Sequence, residues 1–569
     1  MLFRFIDFNT TLRGVAIIAI TLICSHCSAE DDDSNRSPLL RSLEYELIGI
    51  NPFTYEFKAV AQDPDLDPLI FTWDFGEGTV REGALSETFE YPAGDSYKVT
   101  VTVSDPAGMT ASEFVVVNTV PTEIAIDLSI EHQTIEGFGG FGSQNFPWTS
   151  GPFTSERFID DMVNDLGVTI VRDEVPTNLE ITNDNDDPQV LNLEGFNIQE
   201  DYPGHHRPLG SRLDFFRDMH AANPDIKFIA SVWSPPPWMK ANNMVDNGTE
   251  QNSAPEYDPT PESDDNQLLP ENYDEFAEMA VAYVKILKQE TGVDLYAFSI
   301  QNEPRFSQSY QSCLYSGHAL RDLLKVVGKR FEEEGLTTKL FVPEDVGFLG
   351  GIQNLVDPLM NDAEARQYVD MLAVHGYAFD GITAGSQDAQ TWETMYNWGA
   401  PYDIPLWMTE TSGFENNLSG ALEMAKGMYT ALKFGNISAW VFWTISGGNQ
   451  VNNYNLMDVN GNKSKRWYVS KNFYRYIRPG AIRTEASSTG EILSLAFKHP
   501  EQNGLTIILI NPSGNDKVGK VTGQGLPAEY EVFVTTYDKN CENTGTIKSE
   551  DAFMVPGQSV ITLTGAMPE

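Results

Sequence analysis

Basic residues are scarce in this sequence. It has 37 lysine and arginine residues against 82 aspartate and glutamate residues, which gives a formal net charge of −45 over 569 residues. This charge disfavours binding to nucleic acid or to an anionic membrane surface. A neutral polymer is a compatible partner, and the length allows about three domains.

Cysteine and long apolar runs are also scarce. Four cysteines in a chain of this length do not indicate the disulfide framework of a small secreted domain. Residues 15–23 form an apolar run that is too short to span a bilayer but suits the core of a secretory signal. No later stretch reaches the ~18 apolar residues of a membrane helix. We therefore predict an exported protein that contacts a membrane only at its N-terminus.

Cys27 and the acidic residues that follow it resemble the start of a bacterial surface lipoprotein. Residues 28–33 read Ser-Ala-Glu-Asp-Asp-Asp, similar to an acidic export tag, and the resemblance implies lipid attachment at Cys27. Ordinary secretion without a lipid is the alternative. We predict a signal over residues 1–27 and an acidic tether over residues 28–40.

Residues 41–120 contain short alternating segments separated by Pro, Gly and Asp, a pattern typical of a small β-sandwich. The segments 63–65, 71–78 and 97–105 resemble a PKD-type domain, which implies a spacer or a weak binding module without catalytic residues. Trp73 lies inside an alternating strand, so we expect it in the core and not on a sugar-binding surface.

Residues 121–480 alternate between strand and helix patterns, as expected for a parallel sheet with crossover helices. Apolar helix faces end at Gly292, Gly335 and Gly435. The sequence contains eight candidate strands, which predicts a (β/α)8 barrel. They are Ile135–Gly140, Val168–Arg172, Lys227–Trp233, Leu295–Gln301, Lys339–Val342, Met371–His375, Pro405–Thr409 and Ala439–Thr444. Residues 481–569 return to a strand pattern and predict a C-terminal β-sandwich.

Polar or aromatic residues stand at the ends of seven of these strands, where the active site of a barrel is built. They are Arg172, Trp233, Asn302 with Glu303, Glu344, His375 with Tyr377, Glu410, and Trp443. The carboxylates at the ends of the fourth and seventh strands would face each other across the barrel mouth. A retaining glycosidase needs two such groups about 5–5.5 Å apart, one protonated and one ionised.

Five motifs, in order along the chain, resemble glycoside hydrolase family 30. They are residues 133–140, 231–240, 299–304, 406–410 and 474–480, and the resemblance extends from about residue 123 to residue 566. It implies a (β/α)8 barrel with a fused β-sandwich that receives a strand from residues 123–135. It also implies that Glu303 is the acid/base and Glu410 the nucleophile, with no cofactor and no metal. We expect a monomer that acts on a polysaccharide.

The resemblance implies roles for further residues. Asn302 would bind the sugar 2-hydroxyl and Arg172 would bind the nucleophile, although Arg172 could instead pair with Asp173 or Glu174. His375 and Tyr377 would line the −1 sugar, and Trp443 would form an aromatic floor. Of Trp233 and Trp238, one is expected in the cleft wall and the other in packing. Glu344 is expected to support the site. Asp184-Asn185-Asp186-Asp187 suggests calcium, but it lacks the glycine and glutamate of an EF-hand, which favours a solvated loop.

The sequence is compatible with several polysaccharide substrates. Residues 309–315 and 460–468 resemble the xylan-cleaving branch of the family, whereas residues 446–455 lack the basic residue that would hold a glucuronate. We predict a retaining β-glycosidase of the endo-β-1,4-xylanase type that acts on a plant or algal cell-wall polysaccharide. An endo-β-1,6-glucanase and a β-1,6-galactanase are alternatives, and an inactive carbohydrate-binding surface lipoprotein is the alternative of another class.

Overall fold

The computed structural model describes residues 35–48, 53–91, 94–142, 156–185, 187–199, 208–248, 265–346, 349–377 and 388–568. The predicted signal and Cys27 lie outside the described residues. Arg36, near the end of the predicted tether, pairs with Asp65 of the N-terminal domain at 2.6 Å. The first strand begins at Leu39, inside the predicted tether.

The N-terminal domain is a sandwich of two small antiparallel sheets, as the alternating pattern predicts. One sheet has the order β1-β2-β5 and the other β4-β3-β6-β7. Trp73 is fully buried in the shared core, which confirms its expected place. The strands are β1 (Leu39–Leu47), β2 (Thr54–Gln62), β3 (Ile70–Asp74), β4 (Val80–Gly83), β5 (Ser86–Glu90), β6 (Ser96–Ser104) and β7 (Thr110–Asn118).

Strand β8 (Thr122–Thr134) leads from this domain to a closed barrel of eight parallel strands. All eight predicted strands are present, with ends shifted by a few residues. They are β9 (Gly137–Phe141), β10 (Ile170–Val175), β11 (Lys227–Val232), β12 (Leu295–Ser299), β13 (Lys339–Val346), β14 (Met371–Tyr377), β15 (Leu406–Ser412) and β16 (Ala439–Phe442).

Helices pack around the barrel through the apolar faces seen in the sequence. Helix α3 ends at a left-handed Gly292, as predicted. None of the helices within the described ranges combines the length and apolar character needed to cross a membrane. The helices are α1 (Glu156–Asp160), α2 (Leu213–Ala222), α3 (Tyr273–Thr291), α4 (Gly317–Glu333), α5 (Leu349–Asn361), α6 (Ala363–Arg366), α7 (Ala389–Gly399), α8 (Leu418–Phe434) and α9 (Lys465–Tyr474).

The C-terminal strands form a nine-stranded sheet that includes β8. Strand β8 pairs antiparallel with β17 (Ile482–Ser488), so the residues before the barrel do supply a strand to this domain. Phe497 and Ile508 of the sheet belong to the core cluster of the barrel. The remaining strands are β18 (Leu493–His499), β19 (Gly504–Asn511), β20 (Lys517–Thr522), β21 (Glu529–Thr535), β22 (Asn540–Lys548), β23 (Ala552–Val555) and β24 (Ser559–Ala566).

The glycine-rich motif at residues 137–140 is strand β9, which lies between β10 and β16. A Cβ atom on Gly139 would lie 1.7 Å from the carbonyl oxygen of Ile170. The glycine is therefore required by close packing of two barrel strands and not by a ligand.

Candidate active site

The carboxyl ends of the barrel strands bring the predicted polar residues together. Arg172, His375 and Glu410 lie within β10, β14 and β15, and Asn302 and Glu303 follow β12 directly. All five residues are buried, with between 0% and 7% of their surface exposed. The convergence expected from the sequence is therefore present in the fold.

Glu303 and Glu410 face each other across this site. One oxygen of each carboxylate and one nitrogen of His375 lie within 4.8 Å of one another. The Nδ1 atom of His375 lies 2.9 Å from Oε1 of Glu303 and 3.9 Å from Oε2 of Glu410. A pair of carboxylates at this separation suits double displacement at an anomeric carbon.

Arg172 binds side chains at the ends of β15 and β12, the two strands that carry Glu410 and Glu303. Its guanidinium donates to Glu410 Oε2 at 2.5 Å and to Asn302 Oδ1 at 2.7 Å. The alternative pairing with Asp173 is absent here, because Arg212 occupies that carboxylate at 2.7 Å. Tyr377 donates a short hydrogen bond to the second oxygen of Glu410. Two donors therefore bind the two oxygens of Glu410 and fix the orientation of its carboxylate.

Glu344 is a further buried carboxylate that contacts two cationic groups of the site, Arg172 and His375. It is fully buried, pairs with Arg172 at 2.8 Å and lies 3.5 Å from Nε2 of His375. Ser231, which the sequence analysis missed, accepts from Arg172 Nε at 3.2 Å and donates to Glu344 at 3.0 Å. Its signal was available: Ser231 stands two residues before Trp233, on the same side of an alternating strand.

The pKa values of Glu303 and His375 are both raised above their ordinary values. Burial raises the pKa of Glu303 to about 7, with a further rise from the charge of Glu410 and an opposing effect of the bond with His375. Burial lowers the pKa of His375, but Glu410, Glu303 and Glu344 raise it more, to about 10. Near neutral pH the site therefore holds an imidazolium and one carboxyl group ready to give up a proton.

Aromatic rings form one wall of the site. The rings of Trp233 and Trp443 lie 6.0 Å apart, and Phe141 at the end of β9 lies 4.5 Å from Trp443. Arg172 stacks over Trp233 at 4.6 Å. Trp238 is directed elsewhere, since its Nε1 donates to the backbone carbonyl of Glu180 at 3.0 Å. Of the two candidate tryptophans, Trp233 is the one in the site. Phe141 was not predicted.

Metal binding can be assessed from the groups present. The described residues contain one set of three possible ligand residues close enough to share an ion: Glu303, His375 and Glu410. Arg172 and Tyr377 already bind both oxygens of Glu410, which leaves this set poorly suited to a cation.

The segment that suggested calcium lies near a second group of acids. Glu180, Asp184, Glu275 and Glu278 form an acidic cluster on the loop after β10 and the first turns of α3. Asp184 and Asn185 are half-buried and Asp187 is exposed, in a loop without helix or strand. Asp186 lies outside the described residues.

Two family models match the chain. Residues 51–118 match the PKD domain, and residues 179–398 match the glycosyl hydrolase family 30 TIM-barrel domain. The second match contains Glu303 and His375.

Curated relatives and solved structures agree with these matches. The glucuronoxylanase XynC of Bacillus subtilis strain 168 is 24% identical over 456 residues, which cover 78% of this chain and 91% of the relative. An endo-1,6-beta-D-glucanase of Aspergillus fumigatus is 25% identical over 329 residues, covering 53% of this chain and 62% of the relative. The solved glycoside hydrolase family 30 subfamily 8 xylanase of Clostridium acetobutylicum has a TM-score of 0.59 at 23% identity, covering 78% of this chain and 99% of that structure, which shows a common fold.

Proposed function

We propose that this chain, a glycoside hydrolase with a family 30 TIM-barrel domain, cleaves a cell-wall polysaccharide with retention of anomeric configuration. The observation that carries the proposal is the pair formed by Glu303 and Glu410, whose oxygens lie within 4.8 Å of each other. Retaining enzymes hold their carboxyl groups about 5–5.5 Å apart, and inverting enzymes hold them about 6.5–9.5 Å apart to admit a water.

In the first step, Glu303 gives its proton to the glycosidic oxygen while Glu410 attacks the anomeric carbon. The bond to the leaving sugar breaks as the ester between Glu410 and the sugar forms. In the second step, Glu303 removes a proton from water, which attacks the anomeric carbon and releases Glu410. The raised pKa of Glu303, due mainly to burial, supports the first role because the group is still protonated near neutral pH.

The surrounding residues support these two steps. Arg172 and Tyr377 bind the two oxygens of Glu410 and would orient its carboxylate for the attack. Arg172 binds the side-chain oxygen of Asn302, which directs the amide nitrogen of Asn302 toward the sugar 2-hydroxyl. Trp233, Trp443 and Phe141 offer apolar surface for the face of a sugar ring.

For the substrate, we propose β-1,4-xylan cleaved within the chain. Support comes from the glucuronoxylanase relative, which this chain covers over 91% of its length. Residues 446–455 contain no lysine or arginine, so we propose that a glucuronate side group is not required. A second candidate is endo-β-1,6-glucan cleavage, favoured by the relative from Aspergillus fumigatus.

A substrate panel tests this proposal. The purified protein is incubated with unsubstituted xylan, glucuronoxylan, β-1,6-glucan and β-1,6-galactan, and the products are sized and their anomers followed by NMR. We expect β-anomeric xylo-oligosaccharides of several lengths from both xylans, and no product with Glu410→Gln. Binding without product on every polymer would contradict an enzymatic role. Inverted products would contradict the assigned mechanism.

We also propose that the protein is exported and held at the cell surface by a lipid on Cys27. The support is the apolar run at residues 15–23 followed by Cys27 and three aspartates at 31–33. Labelling with a radioactive fatty acid in the producing cell tests this, with Cys27→Ala as the control. Label on the wild-type protein alone would support the anchor, and an unlabelled wild-type protein in the medium would indicate ordinary secretion.

A further inference from the structure

The loop that follows Glu303 is tied to the end of the next barrel strand by a buried ion pair. Arg305 donates from Nε to Asp345 Oδ2 at 2.7 Å, and Nη2 donates a short bond to the same oxygen. The backbone N–H of Arg305 also approaches Asp345 Oδ1 at 3.3 Å. Both side chains are buried, with 7% and 1% of their surface exposed.

The ion pair stands beside two residues with unusual backbone conformations. Glu303 and Glu344 have φ values of 48° and 54°, in the left-handed region that side-chain-bearing residues seldom adopt. The N–H of Glu303 donates to the carbonyl oxygen of Glu344 at 2.9 Å. Such conformations persist only where the surrounding structure holds them. The bonds from Arg305 to Asp345 join the same two strand ends, two residues after Glu303 and one residue after Glu344.

Arg305 is also confined on its other side. A Cβ atom on Gly351, in the first turn of α5, would lie 1.4 Å from Nη1 of Arg305. The guanidinium therefore lies directly on the helix backbone. Its position is set by the carboxylate on one side and by this contact on the other.

The ion pair acts on the charge of the site as well. Burial raises the pKa of Glu303 most, and the charges of Glu410 and, to a smaller extent, Asp345 raise it further. Burial raises the pKa of Asp345 itself, while Arg305 lowers it. The ionisable groups that act on Glu303 are His375, Glu410, Asp345, Arg172 and Tyr310. Arg305 decides whether the negative charge of Asp345 is neutralised next to Glu303.

We propose that Arg305 is a positioning residue for the hydrolysis: it holds Glu303 in its left-handed conformation and neutralises Asp345 beside it. This inference rests on the role of Glu303 as acid/base proposed above. Arg305 and Asp345 do not touch the substrate in this scheme.

The test compares Arg305→Met, Arg305→Lys, Asp345→Asn and the double variant Arg305→Met with Asp345→Asn. The kcat and KM on xylan are measured from pH 4 to pH 9. For Arg305→Met we expect a loss in kcat of roughly 10- to 100-fold with KM nearly unchanged, because the acid is misplaced and not the substrate. We expect the basic limb of its pH profile to move to higher pH, because Asp345 without its cation titrates together with Glu303 and its charge opposes the loss of the proton from Glu303.

The other variants separate position from charge. In the double variant the basic limb should return to that of the wild type, since the carboxyl group of Asp345 is removed. Its kcat should stay low, since the bonds between residues 305 and 345 are still absent. Arg305→Lys should have the basic limb of the wild type and a kcat between those of Arg305→Met and the wild type. Arg217→Met, which breaks an ion pair on the surface of α2, is the control and should leave both unchanged.

Two outcomes would overturn the inference. One is a lower melting temperature for Arg305→Met with a normal kcat and a normal pH profile, which would make the ion pair merely structural. The other is the same displaced limb in the single and double variants. Glu303→Ala distinguishes the two proposals: if it hydrolyses xylan normally, the acid/base assignment fails. If it is inactive while Arg305→Met is normal, only the role of Arg305 fails.

Discussion

Arg172 makes more contacts in the site than either carboxylate, because one planar guanidinium reaches Glu410, Glu344, Asn302 and Ser231. Lysine carries the same charge but cannot make these bonds in a fixed plane. Arg172→Lys should therefore lower kcat by roughly 100-fold, in line with the loss of one preorganised bond at a reacting group.

A matched control for this change is an arginine that pairs with a neighbouring residue of the same strand. Arg212 is equally buried and pairs with Asp173, which neighbours Arg172 in sequence but lies outside the catalytic network. Arg212→Lys should lower the melting temperature with little change in kcat. A normal kcat for Arg172→Lys would show that the orientation of Glu410 does not depend on the guanidinium.

The bond between His375 and Glu303 predicts a shift in pH dependence. The protonated form of Glu303 is the acid, so kcat/KM should fall as pH rises through about 7. His375 lowers the pKa of Glu303 through its hydrogen bond and charge. His375→Gln removes that charge and should move the basic limb upward by about one pH unit. Tyr377→Phe, which acts on Glu410, should reduce kcat without moving the limb.

At the scale of elements, strand β9 makes the barrel dependent on glycine. A Cβ on Gly139 would meet the backbone of β10, which cannot move without disturbing the barrel. Gly139→Ala should lower the free energy of unfolding by roughly 3 kcal/mol or abolish soluble expression. Gly514, whose Cβ would meet nothing within 4 Å, is the matched control, and Gly514→Ala should unfold like the wild type in a urea titration.

The acidic cluster on α3 and on the loop after β10 predicts how stability varies with pH. Burial and neighbouring carboxylates raise the pKa of Glu180 to about 9 and that of Glu278 to about 7, from ordinary values of 4.5. The unfolded chain loses these protons near pH 4.5, whereas the folded protein keeps them longer. Stability from these groups is therefore complete below about pH 4.5 and decreases as pH rises through 7 and 9.

Glu180→Gln tests this dependence. The variant should reduce the difference in unfolding free energy between pH 5 and pH 8, which for one such group amounts to at most about 1.4 kcal/mol per pH unit. Urea titrations at both pH values, with EDTA present to exclude divalent cations, provide the measurement. Glu194→Gln, an exposed change in the same loop, should leave the difference as in the wild type.

The elements show where prediction from sequence succeeds. The eight barrel strands and the glycine that ends α3 follow from apolar periodicity and backbone conformation, which are local properties. The contacts of Ser231, Phe141 and Arg305 join residues that are far apart in the chain. These contacts depend on how the strands stagger in the barrel, and local patterns contain no information about that stagger. Glu303 and Glu410 were found because each follows or ends a strand with a specific motif.

At the scale of the whole molecule, we expect the described residues to unfold as two cooperative units. The N-terminal domain has its own core, whereas the C-terminal sheet, besides a cluster of its own, contributes Phe497 and Ile508 to the core of the barrel. Calorimetry should therefore show two transitions. Trp73→Ala should lower only the transition of the N-terminal domain and leave kcat on soluble xylan unchanged. Phe497→Ala should lower the transition that abolishes activity. A single transition affected by both changes would contradict this division.

The pairing of β8 with β17 has a consequence for the order in which the protein can mature. Ile124 pairs with Ser488, so a strand that emerges early from the ribosome acquires this neighbour only after the whole barrel has been synthesised. Strands that are far apart in sequence pair slowly, and the unpaired edge of β8 is prone to aggregation until they do. The C-terminal domain must therefore be the last part to assemble. A chain that stalls before residue 482 would leave β8 without its partner β17 and open to proteases.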